Sequence, residues 1–237
     1  MPPVMVTAWA AQTRMALANT QAPGNNEAAG ALQLIELIQL KGFVVTADAL
    51  HCHRAMAKAI IDRGGGYVLT VKENQPARLA DAKAAIEAAR RKGVTRIATT
   101  ELNHGRTEKR SAIVAKVAEM GQNHDFPGLK AVACITSKRA NDETVSRYFL
   151  MSQAYSHTKT LSIVRQHWGI ENSLHWPLDV PLDEYLARNR KDNGPANLAI
   201  LKRLALNVAR AQPDTTLSLR AKLKRAEWDD AFLFDMQ

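Results

Sequence analysis

Two apolar runs, "FVVTAD" at 43–48 and "YVLTVK" at 67–72, are separated by one helix-patterned segment, "HRAMAKAIIDRGGG" at 53–66. Runs as continuously apolar as these suit strands buried on both faces, and such strands occur in parallel sheets covered by helices. A parallel pair joined by a helix closes through a right-handed crossover, which leaves few topologies open. A second helix pattern, "ARLADAKAAIEAARRKG" at 77–93, follows directly. The alternation predicts an α/β fold. Upstream, "MVTAW" (5–9) and "RMALANT" (14–20) read as two short strands joined by a tight polar connection. "APGNN" (22–26) breaks the chain, and Asn26 is placed to cap a helix starting at residue 27. Leu34, Leu37, Ile38 and Lys41 carry that helix at a 3.6-residue period to a stop at Gly42.

From about residue 94 the texture changes. "RIATTEL", "RSAIVAKVAEM", "KAVACITSKR" and "VSRYFLMS" are strand-like, with no helix pattern between them. They form either an inserted antiparallel subdomain or an extension of the sheet. "HTKTLSIVRQHWGIENSLHW" is helical again, as is the stretch 197–212, before a basic and then mixed-charge tail. The expected organisation is a first part of the core over 1–93, a β-rich insertion over 94–155, and a helical part with the tail over 156–237.

Composition narrows the function. With 46% hydrophobic and 23% charged residues the chain is that of a soluble globular protein. No apolar run approaches the ~18–20 residues of a membrane span, and the first residues lack the pattern of a signal peptide. Cys52 and Cys134 are too few for a disulfide framework, so a reducing cytoplasm is the expected setting. A net charge of +9 favours a polyanionic partner or a membrane surface. Because the basic residues are spread over folded-looking segments, a nucleic-acid surface on a globular body is the favoured form.

Two carboxylates stand out. Asp48 ends its strand, where open α/β sheets bind ligands, although an aspartate there equally suits a helix N-cap. "RQHWGIENSLHW" (165–176) sets Glu171 between two His-Trp pairs. Spacing of four places His167, Glu171 and His175 on one helical face, with Trp168, Asn172 and Trp176 beside them. Converging carboxylates would hold magnesium or manganese, and two such ions ~4 Å apart serve phosphodiester chemistry. Zinc held by His167, Glu171 and His175 is a local alternative. So is an aromatic helix simply packed on a core, with its polar groups at the edge.

"VVTADALHCHRAMAKAIIDRGGGYVLTVKENQP", followed far downstream by "RQHWGIENSLHWPLDV", closely resembles the DDE transposases of bacterial insertion sequences. Within these it is most similar to the H-repeat-associated (ISAs-one) group of the IS-four-like superfamily. "NHGRTEKR" (103–110), "NRKDNGPANLAILKRLALN" (189–207) and "KRAEWDDAFL" (224–233) extend the likeness over nearly the whole chain. The resemblance implies an RNase H-like core, a mixed sheet flanked by helices, with a β-rich insertion between the second aspartate and the glutamate. It implies cleavage and strand transfer at transposon ends with two Mg2+ or Mn2+ ions. Asp48 matches the second aspartate and Glu171 the glutamate, as catalytic residues and metal ligands. The implied partners are double-stranded DNA, as terminal repeats and target, and further copies of the chain assembled on it in the bacterial cytoplasm, at the nucleoid. The DNA contacts expected are Lys72, Asn74 and Gln75, then His104, Arg106 and Arg110, then Arg165, His167, Trp168, Asn172, His175 and Trp176, and finally Arg188, Arg190 and Lys191.

The pattern is not complete. The family's first aspartate lies upstream of the second, whereas here only Glu27 and Glu36 precede Asp48 among acids. The resemblance therefore implies a chain that begins one strand late and cleaves weakly or not at all. A non-catalytic DNA-binding remnant, binding transposon ends or interfering with an intact transposase, is the alternative. A metal-dependent nuclease unrelated to transposition is a third. Glu73 in "KENQP" stands where the family has glycine, and "VPLDEYLARNRK" replaces the family's usual stretch, leaving Asp183 and Glu184 without an assigned role. His167 and Leu178 occupy positions that the wider superfamily gives to arginine and lysine.

Overall fold

A computed structural model describes residues 4–94, 96–103, 106–117, 119–139, 143–189 and 191–236. The chain separates into two compact units, Gln39–His167 and Met1–Ile38 with Trp168–Gln237.

The discontinuous unit opens with strands β1 (Met5–Ala10) and β2 (Met15–Gln21), an antiparallel hairpin with a bulge at Ala8–Trp9. Helix α1 (Glu27–Leu37) follows, and the Asn26 side chain accepts the Ala29 N–H at 3.1 Å as the expected cap. The helix stops short of Lys41 because Ile38 turns extended, at φ −118° and ψ 148°. The next apolar residue, Leu40, is 3% exposed, whereas Leu37 at the helix end is 67% exposed. Leu40 sits so close to Gly65 that a Cβ there would come within 2.9 Å of its own. Burial of Leu40 outweighs about one further helical turn of hydrogen bonds. Gly42 is then a turn residue at φ +84°, not a helix stop, and the Phe43 N–H closes the turn on the Leu40 carbonyl.

The continuous unit is built on one mixed six-stranded sheet. Strand β3 (Val44–Ala47), helix α2 (Arg54–Asp62) and strand β4 (Gly66–Val71) form the expected crossover, with β3 and β4 parallel. Helix α3 (Pro76–Arg91) leads into β5 (Ile97–Asn103), β6 (Arg106–Lys116), the short α4 (Met120–Asn123), β7 (Ala131–Arg139) and β8 (Val145–Met151). The sheet order is β3-β4-β8-β7-β6-β5, and every pairing beyond β3–β4 is antiparallel. The four later strands therefore extend the sheet. Helix α5 (His157–His167) covers one face, where Leu161, Ile163 and Val164 pack on Val68, Ala133, Phe149 and Met151. Helix α3 packs on β6, β7 and β8 through Leu79, Ala82, Ile86 and Ala89. Alternation along β7 and β8 leaves Val132, Cys134 and Leu150, all buried, for the face away from α5. Ile60, Leu69, Ile86 and Leu150 have no exposed surface. Each such side chain contributes ~1.5–3 kcal/mol relative to an exposed one.

The chain then completes the first unit. A π-helical turn (Glu171–His175) runs into α6 (Trp176–Asp179), a 3₁₀ turn (Glu184–Leu186), α7 (Gly194–Ala211), α8 (Leu219–Arg225) and α9 (Asp230–Asp235). Leu174, Leu178 and Leu206 form its core with Trp9 and Leu182 packed against them. Asn207 of α7 treats β2 as a strand would, donating to the Ala16 carbonyl at 2.8 Å and accepting its N–H at 2.9 Å. Arg203, 6% exposed, bonds Thr7 Oγ1 at 2.9 Å, the Ala199 carbonyl at 2.9 Å and Glu184 at 2.6 Å.

Candidate active site

Strand geometry sets the surroundings of Asp48. Side chains two apart share a face, so Val44, Thr46 and Asp48 point the same way. Val44 packs into the cluster that α5 covers. The last residue of α5, His167, therefore meets the other two. Its Nδ1 lies 3.1 Å from Thr46 Oγ1 and its Nε2 lies 3.5 Å from Asp48 Oδ1. One tautomer serves both contacts: the Thr46 hydroxyl donates to Nδ1, and the Nε2 proton faces the carboxylate. The ring is largely buried at 16% side-chain exposure, while the Asp48 side chain is 61% exposed. The hydrogen bond from His167 holds the Asp48 carboxyl below its usual range, against the opposing effect of partial burial. Lys72 and His51 add smaller favourable charge effects. Asp48 does not cap the 3₁₀ turn Ala49–His51 through its side chain, so its oxygens are not taken up by the backbone behind it.

Around this carboxylate the loops after β3 and β4 emerge side by side, because their strands are parallel and paired up to Ala47–Leu69. Asn74 Nδ2 and Gln75 Nε2 both donate to the Ala49 carbonyl, at 3.3 and 3.1 Å. Cys52 beneath is fully buried, and desolvation pushes its thiol up to about 12, eased by the Arg78 charge and a Gln75 hydrogen bond. His53 caps α2, its Nδ1 accepting the Met56 N–H at 3.2 Å. Burial, then the charges of His51 and Arg78, lower the pKa of His53.

Glu171 opens the π-helical turn. Pro177 has no N–H to give the carbonyl four residues back, and its ring crowds that carbonyl. The preceding turn widens, and the Trp176 N–H reaches the Glu171 carbonyl five residues back. The Glu171 side chain is 57% exposed, and one oxygen lies 3.3 Å from His175 Nδ1. Trp176, Asn172 and His175 are exposed, and Trp168 sits at 37% exposure. Nearby, burial and then the charge of Glu184 raise the pKa of Asp179.

Of the remaining expected contacts, Lys72, Arg165, Arg188 and Lys191 are exposed. Arg106 begins β6 opposite Asn103. Arg110 pairs with Glu108 at 2.9 Å, and both side chains are largely buried. His104 and Arg190 lie outside the described residues. Among the described residues no three His, Cys, Asp or Glu side chains gather as a metal-holding group. None of the described helices is long and apolar enough to cross a membrane. Sequence reasoning missed the role of Thr46. The signal lay in its spacing of two from Asp48.

A mixed six-stranded sheet flanked by helices, with a carboxylate at the end of its first parallel strand, defines an α/β protein and is consistent with an RNase H-like transposase core. Residues 5–208 match the family model described as "Transposase DDE domain", and the chain belongs to that family. It is 29% identical over 240 residues to the "Putative transposase YncI" of Escherichia coli O157:H7, covering 97% of this chain and 62% of that protein. It is 28% identical over 221 residues to the "H repeat-associated putative transposase YhhI" of Escherichia coli K12, covering 88% of this chain and 58% of that protein. The chain thus spans about three-fifths of the length of these curated relatives.

Proposed function

We propose that this chain serves DNA transposition, cutting and joining insertion-sequence ends, with Asp48 and Glu171 as ligands of magnesium or manganese. The observation that carries the reading is Asp48 itself: an ionised, outward-facing carboxylate at the end of β3, in a chain of the transposase family. The donor chemistry suits the ion. Magnesium and manganese take hard oxygen ligands, commonly one or two carboxylates completed by water. Asp48 and Glu171 both offer exposed carboxylate oxygens. When bound, such an ion activates an attacking water or 3′-hydroxyl and stabilises the leaving oxygen.

The chain's own residues have separate tasks in this reading. His167 keeps Asp48 ionised and oriented, and His175, 3.3 Å away, orients the Glu171 carboxylate. Exposed basic residues, Lys72, Arg165, Arg188 and Lys191 among them, hold DNA phosphates, as the net charge of +9 favours. Trp168, Asn172 and Trp176 line the DNA strand near Glu171. The chain works as copies assembled on terminal-repeat and target DNA, in the bacterial cytoplasm. With no aspartate before Asp48, these 237 residues assayed alone cleave weakly.

The test is a duplex carrying the element's terminal repeats, incubated with the protein and Mn2+, for the parent and for Asp48→Ala. Residual cleavage that Asp48→Ala abolishes, with duplex binding unchanged, supports the reading. Equal cleavage by both proteins removes Asp48 from the mechanism. Binding without cleavage by either leaves a DNA-binding remnant.

A further inference from the structure

We infer that Asn74 and Gln75 are positioning residues that hold the Asp48 backbone, not contacts to DNA phosphate; this rests on the reading of Asp48 as a metal ligand.

The geometry converges on one atom. The Ala49 carbonyl, immediately after Asp48, accepts Asn74 Nδ2 at 3.3 Å, Gln75 Nε2 at 3.1 Å and the Cys52 N–H at 3.3 Å. Ala49 is 6% exposed, so these donors replace water at a buried carbonyl. The Asp48 carbonyl is tied as well, by the His51 N–H at 3.0 Å. Together these bonds fix both peptide groups that flank the Ala49 Cα, and with them the direction in which the Asp48 side chain leaves the end of β3. The clamping loop is itself braced. The Gln75 N–H bonds the Lys72 carbonyl at 2.9 Å, and Pro76 starts α3 at once.

Two further observations turn the loop away from phosphate. Gln75 is half-buried and reaches inward toward the fully buried Cys52. Glu73, beside Asn74, is exposed and would set a negative charge against any phosphate approaching the loop. A donor loop built for phosphate presents its N–H groups outward with positive charge beside them. Here two side-chain amides turn to one carbonyl, and the exposed acid Glu73 separates them from the exposed Lys72.

The test compares the full chain with Asn74→Ala/Gln75→Ala, and with the single Asn74→Ala in case the double variant folds poorly. Three readouts are taken: amide hydrogen exchange at His51 and Cys52, Mn2+ affinity by calorimetry, and duplex DNA affinity without divalent metal. Residues that orient a metal ligand change metal affinity by about 10–100-fold, and the expectation is about tenfold weaker Mn2+ binding. Exchange at His51 and Cys52 accelerates, while DNA affinity stays unchanged. Unchanged exchange, or a loss of DNA affinity with Mn2+ binding intact, overturns the inference. Asp48→Ala is measured beside them. If it leaves Mn2+ affinity intact, the reading of Asp48 as a ligand fails, and the exchange rates alone then decide whether the clamp exists.

Discussion

His167 Nε2 lies 3.5 Å from Asp48 Oδ1, while its Nδ1 is engaged by Thr46 on the same strand face. The last residue of a helix thus orients the last carboxylate of a strand, through a hydroxyl two residues earlier. This contact joins chain segments 121 residues apart at Thr46 and makes Asp48 a stronger acid than an isolated aspartate.

His167→Ala is expected to return the Asp48 titration toward the ordinary value of 3.8. The sign follows from the depressed carboxyl. Its stabilising effect is present above the unfolded pKa and is lost as pH falls through the folded value. The parent should therefore lose stability in this window more steeply than His167→Ala. Carboxyl carbon NMR, with denaturant melts between about pH 5 and 3, checks both. An unmoved Asp48 titration would sink the prediction.

His53 has a lowered pKa and accepts the Met56 N–H through Nδ1. A protonated ring cannot accept that bond. Folding stability from this cap is present above the unfolded value near 6.5 and declines as pH falls through the lower folded one. His53→Asn keeps a capping oxygen that does not titrate, and its melts should be flatter than the parent's between about pH 7 and 5. Parallel pH profiles for the two proteins would refute the cap.

Arg203→Met leaves the Glu184 carboxylate without its buried partner and strips Thr7 Oγ1 of a donor. Breaking a buried pair from one side costs roughly 3 kcal/mol. Arg203→Met combined with Glu184→Gln should recover part of that loss. Chemical denaturation of both variants measures the difference. A single variant as stable as the parent would show that the pair contributes nothing.

Duplex binding is expected to fall steeply with salt, because each phosphate neutralised releases counterions. For about six phosphates, affinity drops on the order of a thousandfold between roughly 50 and 200 mM salt. Fluorescence anisotropy over that range gives the slope. A flat response would separate DNA binding from the basic surface.

Much of the α/β unit was legible in the residues. The apolar run at 67–72 reports burial on both faces, whereas the run at 43–48 stands at the end of the sheet order with Val44–Ala47 half-buried and Phe43 65% exposed. The helix-length segment between them still admits little but a parallel crossover. Asn26 as a cap and Asp48 at a strand end are local facts of spacing, and the structure keeps them in place. Other features depended on what packs where. Helix α1 ends at Leu37 because Leu40 finds a buried seat that periodicity could not reveal. The spacing of four that set His167, Glu171 and His175 on one α-helical face did not anticipate the break after His167 or the π-helical turn before Pro177. That the amides of Asn74 and Gln75 both meet the Ala49 carbonyl was not visible in their spacing. Local pattern records which side of an element is buried. Which distant atom satisfies a given polar group is decided only when the sheet brings the loops together.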